Sequence, residues 1–198
     1  MDHAINSTQP SPRTRVLLSR QKIAQRTAEL GAQICADLAH EEATLRAAGI
    51  TPGPIVLVPV LTGALVFAAD LIRQMPVSLS IRPVTLSSYP GSATSSQGVS
   101  VPYALPTDLA GTRVLVIDDI LDSGRTLGLL SRVFAAQHPQ SIRLAVLLDK
   151  RKPNGRAEEV PIQYAGFTID DLFVVGYGLD YDGLYRNLPE VCELLLPT

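Results

Sequence analysis

Asp118, Asp119 and Asp122 follow directly on the apolar run Val114–Ile117, and Ser123-Gly124-Arg125-Thr126 follows them at once. Vicinal carboxylates suit the hydroxyls of a sugar and a divalent cation of hard character, which prefers oxygen ligands. The small Gly-containing turn suits a phosphate, provided that it opens a helix whose free N–H groups and positive dipole end can meet the anion. These residue types in this order equip one turn for a sugar phosphate. Asp122 also stands where a carboxylate could cap the following helix.

The elements around this turn must supply that geometry. Val114–Ile117 reads as a strand buried on both faces. The apolar spacing of Leu127, Leu130, Val133 and Phe134 predicts a helix after the turn. Upstream, Ser19 is a plausible N-cap for a long helix with Ile23, Thr27, Leu30, Ile34 and Leu38 on one face, broken at Gly49–Pro54. Ile55–Val60 predicts a second buried strand, Leu61-Thr62-Gly63-Ala64 a turn, and Ala64–Arg73 a helix with Leu65, Ala68, Ala69 and Ile72 inward. Leu79–Ser87 predicts a strand of mixed exposure, and Val101–Pro106 a short return strand. Between them, Ser88–Gly98 is rich in Ser and Gly and too long for a minimal connection, which suggests a mobile lid rooted at Ser88 and Tyr89. Ile142–Leu148 predicts another buried strand, ending at Asp149-Lys150. Ile162–Phe167 and Phe173–Val175 predict two further short strands. Strands alternating with helices through the middle give an α/β fold on a parallel sheet. The last two strands fall outside that rhythm and predict a small cap over the carboxyl edge of the sheet.

Composition narrows the function classes. The chain has 198 residues and a formal net charge of -2, which suits one domain and argues against a polyanion-binding surface. Cys35 and Cys192 are far apart and read as reduced thiols, and His3, His40 and His138 stand outside every motif. No apolar run approaches the roughly 20 residues that span a bilayer. Residues 1–18 lack the apolar core of a signal peptide and read as a disordered leader to a single domain over 19–198. A Walker P-loop and a dinucleotide G-x-G-x-x-G after the first strand are both missing. The run Lys150-Arg151-Lys152 by itself is a basic loop, of the kind usually solvated.

The stretch VLVIDDILDSGRTL resembles the signature of the type I phosphoribosyltransferases for 5-phosphoribosyl 1-diphosphate. Leu147–Arg151, Phe173–Tyr181 and Tyr185–Pro189 resemble the hypoxanthine(-guanine) branch, and Val60–Ala64 with Ser88-Tyr89 resembles that branch's diphosphate turn and lid. The resemblance implies a parallel-sheet core with helices on both faces and a small C-terminal hood, drawn mainly from 150–198 with help from the N-terminal helix region. It implies a cytoplasmic, Mg²⁺-dependent purine salvage enzyme, a homodimer or homotetramer without nucleic acid or membrane partners.

The family's roles carry over residue by residue. Asp118 and Asp119 hold the ribose hydroxyls, directly or through Mg²⁺; the family usually has Glu at the position of Asp118. Asp122 is the general base that takes the purine N7 proton. Ser123, Gly124, Arg125 and Thr126 cradle the 5′-phosphate. Lys150 donates to purine O6, Phe173 stacks on the purine, and Val174 offers it backbone. Asp180 contacts a second Mg²⁺ near the base, and Arg186 meets diphosphate together with Thr62 and Gly63. Many relatives carry Lys or Arg at the position of Thr62, and a cis bond often precedes it, so Leu61–Thr62 is expected to be cis. Arg151 and Lys152 are left as solvated. Two rival readings remain at this point. An RNA-binding attenuator on the same fold would need a basic face, and an enzyme for xanthine, orotate or uracil would differ around Lys150 and Phe173–Asp180.

Overall fold

The computed structural model describes residues 13–85 and 105–195. The expected lid with Ser88 and Tyr89, and residues 101–104 of the expected return strand, lie outside the described residues. Six parallel strands form the main sheet: β2 (Ile55–Leu61), β3 (Leu79–Ile81), β4 (Val84–Thr85), β5 (Arg113–Leu121), β6 (Ser141–Lys150) and β7 (Tyr164–Ile169). Their order is β3-β2-β5-β6-β7, with β4 also on β2. The helices are α1 (Arg20–Ala47), α2 (Leu65–Ile72) and α3 (Arg125–Ala135).

Period-two alternation sorts the central strands onto two cores. Leu57, Leu115 and Ile117 join Ile23, Leu30, Phe67 and Leu71 of α1 and α2 on one face. Val56, Val58, Val114 and Val116 join Leu127, Leu130 and Phe134 of α3 on the other. Strands covered on both faces read as unbroken apolar runs, which is why β2, β5 and β6 were visible in the sequence. Ser19 caps α1 as expected, its hydroxyl accepting from Lys22 N at 3.4 Å. No helix among the described residues is long and apolar enough to cross a membrane.

Several boundaries differ from expectation. In α2 the buried face is Ala64, Phe67, Ala68 and Leu71, and Leu65 is 52% exposed. The helical repeat starts from Ala64, which is wholly buried, so the apolar stripe is rotated from the one expected. The second of the late strands, β8 (Val174–Val175), does lie outside the main sheet, but β7 does not. It runs parallel to β6, with Leu148 opposite Phe167. The connection Arg151–Gln163 makes this crossover without a helix, and its Pro and Gly residues explain why the βα rhythm disappears from the sequence.

A separate antiparallel sheet has the order β1-β9-β8, with β1 Arg13–Leu18 and β9 Val191–Leu195. Residues 13–18 of the expected leader are therefore a strand, held by ladder bonds to β9 and by the Arg15–Glu193 ion pair. Val174, Tyr177, Leu179 and Val191 belong to the same core cluster as α1 and α2.

Candidate active site

β5 does not stop where the carboxylates begin. It stays paired with β6 through Leu121, opposite Asp149, so Asp118 and Asp119 are strand residues at the carboxyl end of the sheet. Crevices at that edge are where open α/β sheets bind ligands. Here Val60, Leu61 and Gly63 from the end of β2 face Asp118–Gly124 and Thr126 across a cleft of about 250 Å³. Leu61–Thr62 is cis, as expected. Thr62 and Arg125 are exposed and do not line the cleft.

Asp118 is 6% exposed, and its Oδ1 accepts from Asp119 N at 3.0 Å. Burial, and then the charge of Asp119, push its carboxyl well above the usual range. Burial also raises Asp119, against the hydrogen bond with Asp118, backbone N–H groups and, least, the charge of Arg186. Two adjacent acids in that state gain from a cation between them and the substrate. No cluster of three or more potential metal ligands occurs among the described residues. An oxygen pair of this kind fits Mg²⁺, which usually takes one or two carboxylates and completes its shell with water and substrate phosphates.

Asp119 also explains the glycine opposite. A methyl group added at Gly63 would overlap Asp119 Oδ2, so only hydrogen leaves room for the carboxylate. Gly63 in turn supports Gly178 of the C-terminal loop, where an added methyl would overlap Gly63 O. Arg186 donates to Gly178 O at 2.6 Å and pairs with Asp180 Oδ1 at 2.7 Å. Asp180 Oδ2 further accepts from Gly183 N at 2.8 Å. The three regions singled out as diphosphate turn, acidic pair and C-terminal motif thus meet through Gly63.

The phosphate turn is equally constrained. Gly124 is the N-cap of α3 with φ of 82°, and no side chain caps the helix. Left-handed backbone favours glycine, and here an added methyl would also overlap Glu158 O. The first-turn N–H groups therefore have no side-chain cap and suit an anion, and no acidic residue in that turn opposes one.

Asp122 does not cap α3. Its carboxylate turns to two lysines: Lys152 Nζ lies 2.6 Å from Oδ1 and Lys150 Nζ 3.4 Å from Oδ2. Burial raises Asp122, but the hydrogen bond from Lys152 and the charge of Lys150 outweigh it and hold the carboxyl below its ordinary value. Lys150 is 8% exposed, hence not a solvated lysine. Lys152 is not solvated either, because Asp171 also accepts from its Nζ, at 2.8 Å. Of the two residues expected to be solvated, Arg151 is exposed and Lys152 is not. Sequence reasoning missed Lys152 because its two partners are distant in the chain and no local spacing joins them.

Phe173 precedes β8 and is 47% exposed, its ring edge-to-face with Tyr181 at 5.6 Å. It is therefore a presented aromatic face and not a core residue. Val174 beside it is buried and paired with Glu193.

A family model for the phosphoribosyl transferase domain matches residues 20–182. The chain belongs to that family. It is 43% identical over 180 residues to the hypoxanthine-guanine phosphoribosyltransferase of Mycobacterium tuberculosis, covering 90% of this chain and 85% of the relative. It is 36% identical over 181 residues to the hypoxanthine phosphoribosyltransferase of Escherichia coli, covering 91% and 95%. Among solved structures, a hypoxanthine phosphoribosyltransferase of Trypanosoma cruzi aligns with a TM-score of 0.78 at 32% identity, over 94% of this chain and 93% of that one. One from Staphylococcus aureus gives 0.74 at 36%, over 91% and 90%. Within the phosphoribosyltransferase family these likenesses place the chain in the hypoxanthine(-guanine) branch. The family model ends at residue 182, so Arg186 and β9 lie beyond it and are joined to the site by the contacts just described.

Proposed function

We propose that the protein transfers the 5-phosphoribosyl group from 5-phosphoribosyl 1-diphosphate to N9 of hypoxanthine, and of guanine, releasing diphosphate. The observation that carries this reading is the Asp122–Lys150 pair at 3.4 Å, reached from separate strands, beside the cleft with the acidic pair and the uncapped helix. A proton acceptor and an exocyclic-oxygen donor close together match the two polar edges of a 6-oxopurine.

The ribose 5′-phosphate sits on the α3 N-terminus, held by backbone N–H of Ser123–Thr126 and the Thr126 hydroxyl. Asp118 and Asp119 orient the ribose hydroxyls, and together they stand against positive charge developing at the anomeric carbon. Mg²⁺ would be held by Asp118 and Asp119, and a second ion by Asp180; when bound it neutralises charge on the diphosphate. The Gly63 turn and Arg186 receive the diphosphate, Thr62 contributing a hydroxyl. The purine stacks on Phe173, meets the backbone at Val174, and gives its N7 proton to Asp122 as N9 bonds. Lys150 donates to O6, and adenine, which offers an amino group there, leaves it unpaired. The family resemblance supports a cytoplasmic homodimer or homotetramer, and a lid at Ser88 and Tyr89.

A panel of bases with phosphoribosyl diphosphate and Mg²⁺ tests the reading. Hypoxanthine and guanine are expected as substrates, and Lys150→Ala should lower kcat/KM for hypoxanthine about ten- to a hundredfold. Turnover of adenine and not hypoxanthine would overturn the substrate assignment. Phe173→Ala should raise KM for the base by about tenfold or more with kcat largely kept, because stacking holds ground and transition states alike.

A further inference from the structure

Two lysines share Asp122, and the proposed reaction uses only one of them. Lys150 must turn its ammonium to purine O6. Lys152 has no substrate atom assigned to it, yet it makes the shorter ion-pair contact with Asp122, 2.6 Å against 3.4 Å. It is also anchored from behind, since Asp171 Oδ1 lies 2.8 Å from its Nζ and 3.8 Å from that of Lys150. Among the described residues, these are the charged groups at ion-pair distance from the cluster: Lys150 at the end of β6, Lys152 in the loop after it, and Asp171 between β7 and β8. Two ammoniums and two carboxylates alternate, with Lys152 Nζ between the two carboxylates.

We propose that Lys152, held by Asp171, is a positioning residue of the base site that aims the Asp122 carboxylate and keeps it ionised when Lys150 is drawn away to the purine. The inference rests on the reading of Asp122 as the proton acceptor. Chemistry favours such an arrangement. As the N9–C1′ bond forms and the C1′–O bond to diphosphate breaks, its electron pair leaving with diphosphate, the imidazole ring of the purine takes on positive charge. Its N7 proton then becomes acidic, so the acceptor needs to be ionised and well aimed more than it needs to be strongly basic. A second ammonium that stays on the carboxylate meets both needs, since a close ion pair with a tethered cation favours the charged form and holds it in place. The shift of Asp122 to below its ordinary value, with Lys152 the foremost contributor against burial, agrees with the geometry.

The test is the pH dependence of kcat with hypoxanthine, at saturating phosphoribosyl diphosphate and Mg²⁺, for wild type, Lys152→Met and Lys152→Arg. Lys152→Met is expected to move the acid limb to higher pH, so that turnover on that limb falls several-fold more than on the plateau, with KM for phosphoribosyl diphosphate unchanged. Lys152→Arg should restore the wild-type limb. A Lys152→Met limb that coincides with wild type overturns the proposal, as does a uniform loss at every pH. Asp122→Asn separates the two levels. If it keeps full turnover, the reading of Asp122 as acceptor is wrong; if it is inactive while the Lys152→Met limb stays put, only the role of Lys152 is.

Discussion

Asp122→Asn is expected to lower kcat by about 10²–10⁴-fold, the range in which positioned proton transfer contributes, with KM for both substrates changed far less. The amide keeps the size of the carboxylate and can still accept from Lys150 or Lys152, but it cannot take the N7 proton. The substitution therefore removes an interaction that strengthens only as the new bond forms. The structure sharpens the test, because Asp122 is not the cap of α3 and its loss does not uncap that helix. A fall in kcat thus reports on chemistry and not on the phosphate cradle. Single-turnover measurement is the safer readout, since product release can mask the chemical step. Retained single-turnover rates would reduce Asp122 to an ion-pair partner of the two lysines.

The second large effect is expected at Gly63. Gly63→Ala brings a methyl group onto Asp119 Oδ2, and the neighbours leave little room for retreat. Asp119 lies between Asp118 and Ile120, both paired with β6, and Gly63 O is already close to Gly178. Either the carboxylate or the turn must shift, and a displacement of about 1 Å at reacting groups can cost on the order of a hundredfold. A drop of that size in kcat/KM for phosphoribosyl diphosphate is expected, with the helices intact by circular dichroism. Near-wild-type kinetics would show that Asp119 and the turn are not held as tightly as the geometry states.

Much of this site was legible in the chain because its parts are local. The acids and the phosphate turn are contiguous, the central strands are buried on both faces, and α3 carries its apolar spacing openly. The remainder depends on partners far apart in sequence. β1 and β9 are short strands without clean alternation, β1 exposed from Arg13 to Val16, and they pair segments far apart in the chain, Arg13 with Leu195. No pattern within either segment records that partner. β7 was detected but assigned to the wrong sheet, because its crossover lacks a helix. Lys152 is hidden for the same kind of reason: a basic loop looks solvated until the fold brings Asp122 and Asp171 to it. The inward face of α2 was misread because its repeat begins at Ala64, a residue that could equally have belonged to the turn.

The helix-free connection Arg151–Gln163 carries one more consequence. Glu158 of that segment donates its backbone N–H to Ser123 O at 3.0 Å, and its carbonyl lies against Gly124. Its side chain pairs with Arg132 of α3. The same segment carries Lys152 at its other end. One loop thus touches both the turn proposed to hold the sugar phosphate and the proposed acceptor of the purine proton, which the sequence places in separate motifs. Grafting this segment from a relative should then alter donor affinity and the pH profile together, and selection on one property would carry the other with it.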